Sequence, residues 1–134
     1  MTPIPGPLQA ESLEASLTVQ DLERSLAWYT TVLGFAVDRR HERDGRCFAV
    51  SLTASAVRIL LVQDDGAKGA DRAKGEGCSF QLSIAQDIDA LAAHVKAQGV
   101  TLDLEPRTMP HGARVFRLRD PDGFRFAVSA RVAP

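Results

Sequence analysis

"SLTVQDLERSLAWYTTVLGF", residues 16–35, decides the fold because the chain repeats its plan. The second copy is "FQLSIAQDIDALAAHVKAQGV", residues 80–100. Each copy runs through an alternating apolar stretch, an Asp, a helical stretch and a Gly. Asp21 and Asp87 suit helix N-caps, since a short carboxylate accepts hydrogen bonds from the free N–H groups of the first turn. Leu22, Leu26, Tyr29 and Leu33 recur at helical spacing and make one apolar face, as do Ile88, Leu91, Ala92 and Val95 in the second copy. Gly34 and Gly99 fit the left-handed position just past a helix end. The copies are offset by about 66 residues, close to half the chain, which reads as duplicated halves.

Beyond each helix the chain is strand-like. "FAVDRRH" (35–41) leads into the turn "ERDG" (42–45), then "RCFAVSLT" (46–53) and "AVRILLVQ" (56–63). In the second half "VTLDLEP" (100–106), "GARVFRLR" (112–119) and "FRFAVSA" (124–130) repeat the trio, with "DPDG" (120–123) as a strong turn signal. Each half is therefore expected to be β-α-β-β-β, with one helix covering one sheet face. The fold class is α+β: two βαβββ modules, 13–63 and 78–130, forming a curved mixed sheet around a cavity. Residues 64–77, rich in Gly, Ala and charge, read as a solvated linker, and residues 1–12 as a flexible Pro-rich arm.

The totals exclude several classes. The chain has 134 residues, enough for one domain with a real core. A net charge of −1 gives no electrostatic case for nucleic acid or an anionic membrane. No apolar run approaches the roughly 18–20 residues that span a bilayer. The opening residues carry no secretory pattern, and a cytoplasmic protein is expected. Cys47 and Cys78 lack CxxC spacing and sit in apolar contexts, so both read as buried free thiols.

"LTVQDLERSLAWYTTVLGF", "DIDALAAHVKAQGV" and "PHGARVFRLRDPDGF", in that order, resemble the vicinal oxygen chelate superfamily: glyoxalase I, extradiol dioxygenases, fosfomycin-modifying enzymes and bleomycin-binding resistance proteins. The resemblance covers roughly residues 13–130. It implies the paired-module fold and a homodimer whose cavities are completed by two chains. In metal-dependent members it implies a divalent ion held by His, Glu or Gln from four strands, two per half. Here those places fall on Glu14, on Leu60, on Gly77 or Ser79, and on Ala127. One carboxylate among four places does not hold a divalent ion against water, so no metal and no other cofactor is expected.

Strand parity supplies the remaining candidates. Phe124, Phe126 and Val128 share the face expected to pack on a helix, which leaves Arg125, Ala127 and Ser129 toward the cavity. By the same logic Arg58 shares a face with Leu60. In the seventh strand Arg114, Phe116 and Leu118 alternate with Val115 and Arg117, and parity leaves open which set faces inward. An inward arginine would replace the family's cation with a fixed charge suited to a carboxylate or phosphate. His111, in the loop before the seventh strand, is the histidine expected to reach a ligand; His41 reads as solvated and His94 as a surface or boundary residue. Trp28 reads as core or interface packing. The ligand-binding candidates are Glu14, Arg58, His111, Phe116 and Arg125. Three functions fit. The first is a metal-free small-molecule binding protein, similar to those that sequester a drug or toxic metabolite. The second is a metal-dependent lyase, isomerase or dioxygenase recruiting Gln63, Gln81 or His111 beside Glu14. The third is a metal-free enzyme with Glu14 or His111 as general base.

Overall fold

The computed structural model describes residues 6–69 and 72–131. The first half holds β1 (Glu14–Val19), α1 (Leu22–Thr31), β2 (Ala36–Arg43), β3 (Arg46–Ala54) and β4 (Val57–Gln63). The second holds β5 (Ser79–Ser83), α2 (Ile88–Ala97), β6 (Leu104–Thr108), β7 (Ala113–Arg119) and β8 (Arg125–Arg131). The fold is α+β, and both halves are βαβββ. The sheet is divided in two, ordered β1-β4-β3-β2 and β5-β8-β7-β6. β1 runs parallel to β4 and β5 to β8, and the other pairs are antiparallel.

The local signals behave as their chemistry dictates. Asp21 accepts from the N–H of Arg24, and Asp87 from that of Ala90, both at 3.1 Å. Gly34 and Gly99 take φ of 72° and 89° just past the helix ends. The first turn is tighter than "ERDG" suggests. β2 continues to Arg43, and Asp44 and Gly45 alone make the hairpin with positive φ at both.

The two halves share one core. Alternation puts Leu17, Val19, Val50, Leu52, Ile59 and Leu61 on one face of the first sheet, and Phe116, Leu118, Phe126 and Val128 on one face of the second. Both faces enter a single cluster of buried side chains. Tyr29 on α1 meets Phe126 on β8 edge-on, centroids 6.0 Å apart. His94 on α2 bonds the carbonyl of Thr31 at the end of α1 through Nε2, at 2.8 Å. The helix-covered faces thus turn toward one another, and the two uncovered faces turn away from the shared core.

Four expectations need revision. The sixth strand begins at Leu104 rather than Val100, and its pairing with β7 is irregular between Leu104 and Arg107. Pro106 lies in that gap and has no N–H to give the ladder. Val100 and Leu102 instead pack against the core from a loop. The linker is not wholly solvated. Lys74 pairs with Asp64 at 2.7 Å with only 6% and 11% of the two side chains exposed, and Gly75 lies against the backbone of Gly123 and Phe124. Both cysteines are free, but Cys47 is half-buried and Cys78 exposed, because Cys78 precedes β5 rather than entering it. His41, read as solvated, is half-buried and bonded to Ser51 Oγ through Nε2 at 3.0 Å. Of the expected N-terminal arm, residues 1–5 lie outside the described residues, while 6–12 form no helix or strand and are exposed. Among the described residues no helix is long and apolar enough to cross a membrane.

Candidate functional site

Strand register decides which side chains look away from the core. On the first sheet Glu14 pairs with Arg58 and Ser16 with Leu60, so these four share the open face. On the second, Ser79 pairs with Arg125 and Gln81 with Ala127. β7 adds Arg117, opposite Ala127, and Arg119, opposite Arg125. The alternation left open in β7 is thereby resolved. Arg117 and Arg119 face outward, whereas Phe116, opposite Val128, lies on the helix-covered side.

The five candidates do not converge within one chain. Glu14 and Arg58 are exposed on the first open face, and Arg58 is held at 2.9 Å by Asp38 rather than by Glu14. Arg125 is exposed on the second open face and lines a cleft of about 240 Å³ with Ser79, Gln81, Asp103, Arg117 and Ala127. His111 lines a different cleft, of about 540 Å³, with Ser83, Ser129 and Arg131 near the far end of β8. Phe116 is a correction. It is 0% exposed in the core, because a benzene ring facing Val128 under α2 is worth more buried than wet. Arg114, on that same side, is drawn out to α2, where it holds both carboxylate oxygens of Asp89 at 2.8 and 2.9 Å. This guanidinium keeps the Asp89 carboxyl below the usual carboxylate range. A third cleft, about 1000 Å³, lies between the halves beside the end of α1 and the start of α2, and none of the five lines it.

Gln63 is already committed elsewhere. Its Oε1 accepts from the N–H of Leu22 at 2.9 Å and its Nε2 donates to the carbonyl of Gln20 at 2.8 Å, which secures the entry to α1. Trp28 is half-buried and meets the Tyr29 ring edge-on at 4.9 Å, so it packs rather than stacks on solvent-facing space.

The donor set fits a divalent ion poorly. Ala127 offers a methyl group on the open face, and Leu60 an isobutyl group on the other. Among the described residues no three His, Cys, Asp or Glu side chains stand close enough together to hold an ion. Arg117 and Arg125 flank Ala127 with positive charge, the opposite of what a cation site needs. Arg117 was the residue that sequence reasoning missed. Its signal was present in the alternation of β7 with Val115, but parity alone could not choose the face.

A family model of the Glyoxalase/Bleomycin resistance protein/Dioxygenase superfamily matches residues 12–128. The chain belongs to that superfamily. A lactoylglutathione lyase of Arabidopsis thaliana is 28% identical over 119 residues, covering 84% of this chain and 41% of that protein. The chain thus spans about two fifths of that relative's length. A superfamily member from Sphaerobacter thermophilus superposes with a TM-score of 0.76 at 26% identity, over 92% of this chain and 98% of the other. TioX from Micromonospora sp. ML1 superposes with a TM-score of 0.74 over 92% of this chain and 100% of its own; at 19% identity it bears on the fold alone.

Proposed function

We propose that this superfamily member is a small-molecule binding protein that works without a metal ion. The observation that carries the reading is Ala127 on the open face of β8, flanked by Arg117 and Arg125, where the resemblance puts a metal-binding glutamate. Support also comes from the open faces themselves. Each presents polar groups away from the core, and each is half of a site. A homodimer that brings the Glu14–Arg58 face of one chain against the Gln81–Ala127 face of its partner would close a cavity between them. The binding reading covers drug or toxic-metabolite sequestration, in which capture rather than turnover is the function.

A second reading is metal-dependent lyase chemistry, favoured by the match to a lactoylglutathione lyase. It needs donors that Leu60 and Ala127 do not supply. Catalysis by Glu14 or His111 as a base is the weaker reading, since the two stand on different halves and His111 lines a cleft apart from that of Arg125.

Elemental mass spectrometry of chelator-free protein, with thermal-shift titrations of Ni²⁺, Zn²⁺, Mn²⁺ and Fe²⁺, tests the reading. The expected result is no stoichiometric metal and no stabilisation by the ions. One tightly held ion per chain would overturn it. Light scattering at several concentrations tests the dimer, which a monomer at all of them would exclude.

A further inference from the structure

Resting on the binding reading, we infer that the cleft on the second open face is an oxyanion site, which takes the carboxylate or phosphate group of a small-molecule ligand. Positive charge on this face is in excess. Arg117, Arg119 and Arg125 share it, and Arg107, paired with Val115, joins them. Asp103 is the one carboxylate lining the cleft, and it is already taken by Arg119 at 2.9 Å. Arg117 and Arg125 have no carboxylate within 4.0 Å among the described residues.

Arg119 and Arg125 also stand directly opposite one another on neighbouring strands. Like charges in that position destabilise a sheet. Arg43 and Arg46 make a second such pair, beside the exposed β2–β3 hairpin, but only the Arg119–Arg125 pair stands beside a cleft, the one that Arg125 lines. Asp103 offsets the charge of Arg119, which leaves Arg125 and Arg117 as the cleft's guanidinium groups open to an anion.

The cleft is shaped for that anion. Ala127 lines the same cleft, opposite Arg117 in the ladder and two residues from Arg125, and its methyl group takes up little room. Gln81 beside it and Ser79 beside Arg125 add an amide and a hydroxyl that can donate to the same oxygens. Two guanidinium groups lining one small cleft suit capture of a carboxylate or phosphate.

The test uses the full chain with phenyl phosphate, benzoate and benzamide as probes, read by calorimetry and by amide shifts at Gln81 and Ala127. The two anions are expected to bind and the isosteric neutral amide not to bind; which anion binds more tightly identifies the source. Arg117→Gln and Arg125→Gln should each weaken binding by about tenfold or more, as loss of a charge-assisted hydrogen bond does. Arg46→Gln, the same charge change on the other half, should leave it within twofold, roughly the scatter expected of a remote surface change. No anion binding at the cleft, or equal weakening by all three substitutions, would overturn the site. Metal content of the same samples separates the two claims. Metal-bearing protein that still loses phenyl phosphate on Arg125→Gln refutes the metal-free reading alone. Metal-free protein indifferent to both arginines refutes the oxyanion site alone.

Discussion

The phenol of Tyr29 donates a 2.6 Å hydrogen bond to Oδ2 of Asp120, joining the first half's helix to the turn before the last strand. Both residues are buried. The other oxygen of Asp120 accepts from the N–H groups of Asp122 and Phe124 at 2.9 and 2.8 Å, so one carboxylate organises the whole "DPDG" turn. Asp122 extends the joint by accepting from the N–H of Gln20 at 3.0 Å and from Ser25 Oγ at 3.2 Å. Tyr29→Phe leaves the ring and removes the donor. It is expected to cost about 1–3 kcal/mol, the penalty for an unsatisfied buried acceptor. Urea denaturation checks this; a loss within experimental scatter would mean that water replaces the phenol.

Burial raises the Asp120 carboxyl above its ordinary value and outweighs the hydrogen bonds from Tyr29, Phe124 and Asp122 that lower it. Burial also pushes the Tyr29 phenol far up, which keeps it a neutral donor. An acid whose folded pKa is raised holds its proton more tightly when folded. Its charge therefore costs stability at neutral pH, and the cost disappears as pH falls through the raised folded value toward the unfolded one near roughly 3.9. The stability of the wild type relative to Asp120→Asn should thus improve as pH is lowered across that window. Denaturation curves at matched ionic strength read the trend, and a difference that stays flat with pH would contradict it.

Asp64 behaves in the opposite sense. The hydrogen bond from Lys74 holds its carboxyl below the ordinary range, aided by the N–H of Gly66. The stability this contributes is present above the unfolded pKa of about 3.9 and is lost as pH falls through the depressed folded value. Lys74→Met should show a shallower loss below that pH than the wild type does. It should also free the linker, so that trypsin cleaves faster at Lys68 and Arg72. Unchanged cleavage would mean that the ion pair does not hold the segment.

Gly75 has φ +78°, and a Cβ there would lie 2.9 Å from the carbonyl oxygen of Gly123 and 3.0 Å from Cα of Phe124. Backbone atoms cannot swing aside as a side chain can. Gly75→Ala is expected to cost at least about 1–3 kcal/mol from its backbone conformation, with the steric clash added. Gly66→Ala, at φ +76° with open space, carries the conformational part alone. The difference between their urea midpoints isolates the contact with the "DPDG" turn.

Ala127→Glu puts a carboxylate where the resemblance expects a metal ligand. Arg117 stands opposite that position and Arg125 two residues before it on the same open face, so the new charge should pair with them. The expected outcome is weaker phenyl phosphate binding by about tenfold or more, as the anion must compete with an internal partner, and no gain of metal. A stoichiometric ion in this variant would show that the remaining donors suffice after all.

The repeat around Asp21 and Asp87, the glycines after each helix and the "DPDG" turn determined the fold from sequence, because caps, apolar periodicity and turn chemistry are local and act within a few residues. The missing glutamate at Ala127 and the outward Arg125 were legible for the same reason: β8 announces its own parity through Phe124, Phe126 and Val128. Only the tertiary structure decided the rest. Whether Phe116 or Arg117 lies on the open face depends on the pairing of β7 with β8, and one residue of register exchanges the two faces. That Arg58 is taken by Asp38 while no carboxylate among the described residues meets Arg117 or Arg125 is a matter of distances in the folded chain, which composition does not carry. The division between the open faces and the common core around Tyr29 and Phe126 arises from packing one half on the other, an arrangement no single stretch of the chain encodes.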